Sequence, residues 1–244
     1  MGEPLIYLIL GCKGTGRFQV VADLIDFGTD KDEKSFVFHS PADAESAEAT
    51  FDVKSRSAVL APYGGKEGEL SADLPKDADF VFVVADGLAS PADSVELFHS
   101  WLEERSFGVA RVITVLNCEL AIESKAAFPW FDCCIHYSDV VLLTQRANVN
   151  SKKLKAFQDS YVEKCYPCLF GYVKRGRVAN PHLVLEAQSR RISLVFDKPE
   201  IFEDDDEEAV FEESVAGDLS KDAYQKRVSG GRRDVVLPDI VQYL

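Results

Sequence analysis

The chain has 244 residues, 46% of them apolar, and a formal net charge of −14. That length suits one large α/β domain, or a domain with a small appendage, and the acidic balance argues against a nucleic-acid partner or an anionic membrane surface, which it would repel. No stretch approaches the roughly 18 apolar residues of a bilayer span, the N-terminus lacks a positively charged leader, and the six cysteines therefore read as reduced thiols of a protein expected in the cytoplasm.

In chain order, apolar β-branched runs alternate with longer amphipathic stretches, the pattern of a parallel sheet covered by helices. A strand over Leu5–Leu10 enters a glycine-rich turn and a helix over 17–27. A second strand covers 35–39, and the short apolar run Ala58-Val59-Leu60-Ala61 marks an extra one within a polar segment. The run 80–85 is apolar throughout, as expected of a strand buried on both faces. Ser90-Pro91 then supplies a cap and a first-turn proline for a helix over 91–105. Further strands are expected at 109–116, 140–143 and 169–173, with helices at 120–128 and, after Asn150-Ser151, at 151–164.

Beyond residue 189 the alternation ends. The remainder, 190–244, holds a strand-like run at 192–196, the acidic cluster Glu203-Asp204-Asp205-Asp206-Glu207-Glu208 and an apolar end that folds back or docks on a second subunit. The expected architecture is a P-loop NTPase-like, mainly parallel sheet with helices on both faces over 1–189, followed by an acidic C-terminal extension.

The turn after the first strand reads Gly11-Cys12-Lys13-Gly14-Thr15-Gly16-Arg17-Phe18. Gly11 and Gly16 have the spacing of G-x-x-x-x-G-K-[ST], in which backbone amides cradle phosphate, the lysine neutralises it and the hydroxyl coordinates magnesium. Arg17 stands in the lysine slot and Phe18 in the hydroxyl slot. Arginine keeps the charge on a larger, planar head, whereas a phenyl ring offers magnesium no lone pair. If a phosphate is held, Gly11, Lys13, Gly14, Thr15, Gly16 and Arg17 would hold it, with Asp86 the acid best placed nearby.

Downstream, Gly87-Leu88-Ala89-Ser90-Pro91 at the end of an apolar strand resembles the E-[TS]-[TS]-G-L-A-x-P segment of the CobW-like GTPases. Ser138 to Val149 is similar to that family's A-D-x-x-L-L-N-K-T-D-L-V, and Tyr172 to Val178, with Arg175-Gly176-Arg177, falls where it has an S/T-x-G-E turn. The resemblance spans about residues 5–186. It implies a P-loop GTPase fold with GTP, or less selectively ATP, at the loop. Three working positions depart from the family. Phe18 replaces the magnesium hydroxyl, Val84 falls at the acid, and Thr144 and Ala147 stand where guanine is read. The family's C-x-C-C metal motif has no counterpart, since no cysteine lies between Cys12 and Cys118. Phosphoanhydride hydrolysis rests on positioning and on charge stabilisation by metal and cationic groups, so these losses imply a degenerate member without GTPase activity, reused for binding a protein partner or for self-association.

Two other readings compete. The spacing of Gly11, Gly14 and Gly16 also fits a dinucleotide loop of an NAD(P)-dependent reductase, but the second strand ends Phe38-His39-Ser40, without the acid that holds the ribose. Cys133, Cys134, Cys165 and Cys168 form two groups ahead of successive strands, where they would hold a zinc ion or act as small buried hydrophobes. Asp86 has a second reading as the cap of the turn into the 91–105 helix. His39 is a strand-end residue at the same edge, and His99 and His182 are surface or packing residues.

Overall fold

The computed structural model describes residues 3–65, 70–197 and 217–244. Eight strands form one sheet: β1 (Leu5–Leu10), β2 (Lys34–His39), β3 (Ser57–Pro62), β4 (Phe80–Val84), β5 (Arg111–Asn117), β6 (Val140–Thr144), β7 (Leu169–Lys174) and β8 (Arg177–Val178). Their order across the sheet is β3-β2-β4-β1-β5-β6-β7-β8. All pairs are parallel except the terminal hairpin β7–β8. The central strands β4, β5 and β6 are buried at every position, as their unbroken apolar runs require of strands covered on both faces.

Side chains of β1 alternate between two cores. Ile6, Leu8 and Leu10 face a core built with α3 (Pro91–Glu103), α4 (Cys118–Glu123), α5 (Phe128–Tyr137) and α6 (Ser151–Glu163). Tyr7 and Ile9 face the other, built with α1 (Arg17–Gly28), α2 (Ala44–Thr50) and α7 (Pro181–Leu185). The architecture is thus a mainly parallel α/β sheet with helices on both faces. The run 57–62 is the extra strand, and it lies at the sheet's edge among the described residues.

Two expectations are corrected. The helix foreseen at 120–128 is two helices, because the Asn117 side chain accepts from the amide of Leu120 to start α4 early, and Ser124 turns extended before Pro129 opens α5. The run 192–196 is not a strand. The outer edge of β7 is already taken by β8, and the run is fixed instead through Arg191 on Asp139 and Ser193 on Asp222.

The acidic cluster Glu203 to Glu208 lies outside the described residues. The segment 217–244 packs back on the α3–α5 face. Arg233 pairs with Asp93 and Glu96, Tyr224 donates to Asp132 at 2.7 Å, and Ile240 is buried in the same core.

Candidate functional site

The loop between β1 and α1 sits at the carboxyl edge of the sheet, where open α/β folds bind ligands. Its glycines set the path. Gly11 has φ +134, and a Cβ there would lie 2.4 Å from the carbonyl oxygen of Val115 on β5, so the chain can leave the sheet here only as glycine. Gly16, at φ 82, is the left-handed N-cap of α1. The amides of Gly14, Gly16, Arg17 and Phe18 have no hydrogen-bond partner among the described residues, which leaves a concave row of donors at a helix N-terminus. The Thr15 hydroxyl is used within the loop, donating to the Cys12 carbonyl at 2.9 Å. The Lys13 amide donates to Gly87 O at 3.0 Å, tying the loop to the turn after β4.

Arg17 does not face this row of amides. Its guanidinium turns into the protein, where Nη2 donates to Asp43 Oδ1 at 2.8 Å and Nη1 to the carbonyl of Ala85. Both side chains of the ion pair are essentially inaccessible. The other Asp43 oxygen accepts from the Gly87 amide at 3.2 Å. Gly87 has to be glycine for this knot to close, because a Cβ there would lie 2.2 Å from Arg17 Nη2 and 2.6 Å from the Lys13 nitrogen. Phe18 is buried edge-on against His39, with ring centroids 5.9 Å apart. Arg17, expected at the phosphate, is held here by Asp43 and the Ala85 carbonyl. A buried guanidinium needs an anion, and the neighbouring Asp43 supplies it from inside the chain.

Asp86 acts as the turn cap. Its carboxylate accepts from the Leu88 amide at 2.8 Å and from the Ser40 hydroxyl at 3.2 Å. It borders a cavity of about 310 Å³ with Ser40, Tyr63 and Asp93. Burial raises the Tyr63 hydroxyl to about 12, with the nearby carboxylates of Asp86 and Asp43 adding to the effect, so it stays a neutral donor. The Nδ1 of His39 lies 2.8 Å from Ser40 O, a strand-end role.

A second cleft, of about 230 Å³, lies between the loop and the turns after β6 and β7, lined by Gly14, Thr15, Gly16, Gln19, Gln145 and Arg175 among others. Thr144, in the first base-reading position, donates its hydroxyl to Leu116 O at 2.9 Å and is spent. Gln145 holds the cleft together by donating to Gly14 O at 2.9 Å, while Ala147 offers no acceptor. Arg146 stacks on Tyr172 at 4.6 Å instead of reaching into the cleft.

The four cysteines considered for zinc are not gathered into a centre. Cys133 and Cys134 are buried in α5, where lack of solvent holds their thiols well above the usual range, and burial pushes the Cys168 thiol up to about 12. Cys165 is exposed. Among the described residues no group of three or more His, Cys, Asp or Glu side chains converges on a metal-sized point. A thiolate ligand set needs easily deprotonated sulfur, and burial here works against it. His99 is a buried packing residue against Phe196, and His182 is exposed in α7.

Sequence reasoning did not find Asp43, Ser40 or Tyr63. The only local trace was Ser40-Pro41, a capped turn whose hydroxyl accepts from the Ala42 amide.

No protein-family model matches the chain, and no curated protein matches it. Solved structures do. The signal recognition particle receptor FtsY from Elizabethkingia anophelis in complex with GDP aligns with a TM-score of 0.51 at 11% identity, over 82% of this chain and 66% of that one. The cell division protein FtsY from Thermotoga maritima gives a TM-score of 0.52 at 12% identity, over 76% and 68%. A Zn(II)-bound triple mutant of the YjiA GTPase aligns with a TM-score of 0.48 at 15% identity, over 78% and 67%. The chain spans about two thirds of the length of these neighbours. At these identities the likeness is one of fold, a mainly parallel α/β sheet of the P-loop NTPase type shared with the FtsY structures.

Proposed function

We propose that this chain is a CobW-like P-loop protein that has given up magnesium-dependent GTP hydrolysis and works by binding a protein partner. The observation that carries this reading is the Arg17–Asp43–Gly87 knot. The cation in the lysine slot is neutralised by a carboxylate of the same chain, at 2.8 Å and out of solvent. Phe18 occupies the position of the magnesium hydroxyl and is packed into the core. The residues present do not fit a magnesium ion at this position, because the Phe18 ring offers it no lone pair. Guanine selection depends on polar partners left costly when unpaired. Ala147 provides none, and the Thr144 hydroxyl is bonded to Leu116 O.

A second reading keeps nucleotide binding without hydrolysis. The free amides of Gly14, Gly16, Arg17 and Phe18 support it, since backbone donors at a helix N-terminus attract anions whatever side chains surround them. An NAD(P) site draws less support. The first acid after β2 in the sequence is Asp43, which is already committed to Arg17 and Gly87.

Calorimetric titration of the purified chain with GTP and ATP, with and without magnesium, separates these readings. The proposal expects no magnesium-stimulated turnover and no preference for guanine over adenine. Binding of both nucleotides, weakened by Gln145→Ala at the cleft, would move the balance to the second reading. Brisk magnesium-dependent GTP turnover would overturn both.

A further inference from the structure

The edge strand β3 is built to pair with a second strand. Its sequence, Ser57-Ala58-Val59-Leu60-Ala61-Pro62, contains no charged residue, and its opposite edge has no partner among the described residues. Natural edges are usually blunted by lysine, inward charges or bulges, and this one carries only a terminal proline.

The direction of its free groups follows from the register. His39 on β2 sits beside Pro62, and the Tyr63 amide donates to His39 O at 2.9 Å. In a parallel ladder each residue turns its N–H and C=O to the same side, and successive residues alternate. Tyr63, Ala61, Val59 and Ser57 therefore address β2, and Ala58 and Leu60 turn both groups to the free edge. Pro62 also faces outward but has no N–H, which closes the run.

We propose that two copies of this chain join through β3 about a two-fold axis at Val59, forming one continuous sheet. The pattern is self-complementary. Antiparallel pairing about Val59 sets Ala58 opposite the partner's Leu60, so that each donates to and accepts from the other. The symmetric pair does the same, giving four main-chain hydrogen bonds. Val59 then faces its own copy in a non-hydrogen-bonded pair, where side chains approach most closely. Val59 is the large apolar side chain exposed on this strand, at 49% of its surface.

Charge favours the same occupant. The crossover from β2 to β3 carries exposed Glu45 and Glu48 on α2, near the end where β2 finishes, and Asp52, Lys54 and Arg56 where β3 begins, with Lys54 paired to Asp52 at 3.5 Å, so that end is weakly basic. Antiparallel pairing brings the acidic end of one crossover toward the basic end of the other. Such an arrangement is attractive locally on a chain whose net charge of −14 otherwise keeps copies apart. The pairing is independent of the phosphate loop, so nucleotide titrations and this inference fail separately.

Sedimentation of the full chain at about 100 µM, a concentration that populates even a weak dimer, should report twice the 27.1 kDa chain mass. Two variants leave the β2 ladder intact. Val59→Lys sets like charges face to face, and Ala58→Pro removes an outward N–H; each should return the mass to that of one chain, with an unchanged circular dichroism spectrum. In a Cys165→Ser background, Val59→Cys should cross-link into a disulfide dimer under mild oxidation, because a non-hydrogen-bonded pair has Cβ atoms about 4.5–5.5 Å apart, near disulfide range. A single-chain mass at that concentration, a dimer untouched by Val59→Lys and Ala58→Pro, or pairing of this edge only with peptides from another protein would overturn the proposal.

Discussion

Two buried carboxylates hold this molecule together in different ways. Asp43, at the carboxyl edge of the sheet, is bound by Arg17 and the Gly87 amide. Asp222, in the C-terminal segment, lies 2.7 Å from His136 Nε2 and accepts from Tyr137 at 2.7 Å and Ser193 at 2.6 Å. The first carboxylate faces a buried guanidinium. The second faces an imidazole and two hydroxyls. The Asp43 knot is therefore a buried ion pair beside the glycine-rich loop, and the Asp222 network is a tether whose strength depends on the protonation of that carboxylate.

The largest expected effect comes from breaking the ion pair on one side. Asp43→Ala leaves the Arg17 guanidinium buried with only a carbonyl to face, which should cost about 3–5 kcal/mol in urea unfolding. Adding Arg17→Met removes the stranded charge and should recover most of that loss, since a buried pair exchanged for apolar groups is often neutral. A double variant no more stable than Asp43→Ala alone would show that Arg17 is not the reason Asp43 matters.

The tether predicts a smaller, pH-dependent effect. Burial by itself raises the Asp222 pKa, but the hydrogen bonds and charge of His136 together with Ser193 and Tyr137 outweigh it and hold the group at about 2. A carboxylate whose folded pKa is depressed stabilises the fold above its unfolded value and loses that contribution as pH falls toward the folded one. Stability should therefore drop by about 2 kcal/mol more in the native chain than in Asp222→Asn as pH goes from about 4 to about 2. Unfolding midpoints measured across that range check it, and parallel acid curves for the two chains would remove Asp222 from the account.

The two regions also differ in how far the sequence disclosed them. The strands β1, β4, β5 and β6 could be read from apolar runs because burial on both faces imposes that composition, β2 and β7, which are only partly buried, showed through their β-branched and aromatic residues, and the extra strand at 57–62 showed in four residues. The exchange of Lys for Arg17 and of a hydroxyl for Phe18 was equally plain, since spacing alone fixes those slots. What could not be read was where Arg17 points. Its partner is 26 positions away on a short turn with no periodicity of its own, and the Asp222 contacts to Tyr137 and His136 span 85 and 86 positions. Contacts of that kind are set by how elements stack, not by local pattern. The split between α4 and α5 was hidden for a different reason, because apolar residues on both sides of Ser124 masked a change of helix.

The smallest predicted effect separates the backbone of the loop from its side chains. At Gly14 the backbone has φ +83, yet a Cβ would meet nothing within 4 Å. Gly14→Ala therefore adds only the conformational penalty of an L-residue in the left-handed region, about 1 kcal/mol, without a clash. Its amide and carbonyl remain in place, so Gln145 still donates to Gly14 O and the cleft keeps its shape. The folded variant should show the native circular dichroism spectrum with a slightly lowered urea midpoint. A loss as large as that of Asp43→Ala would mean that the loop carries more of the fold than its open side suggests, and that its glycines are held by packing rather than by the turn they permit.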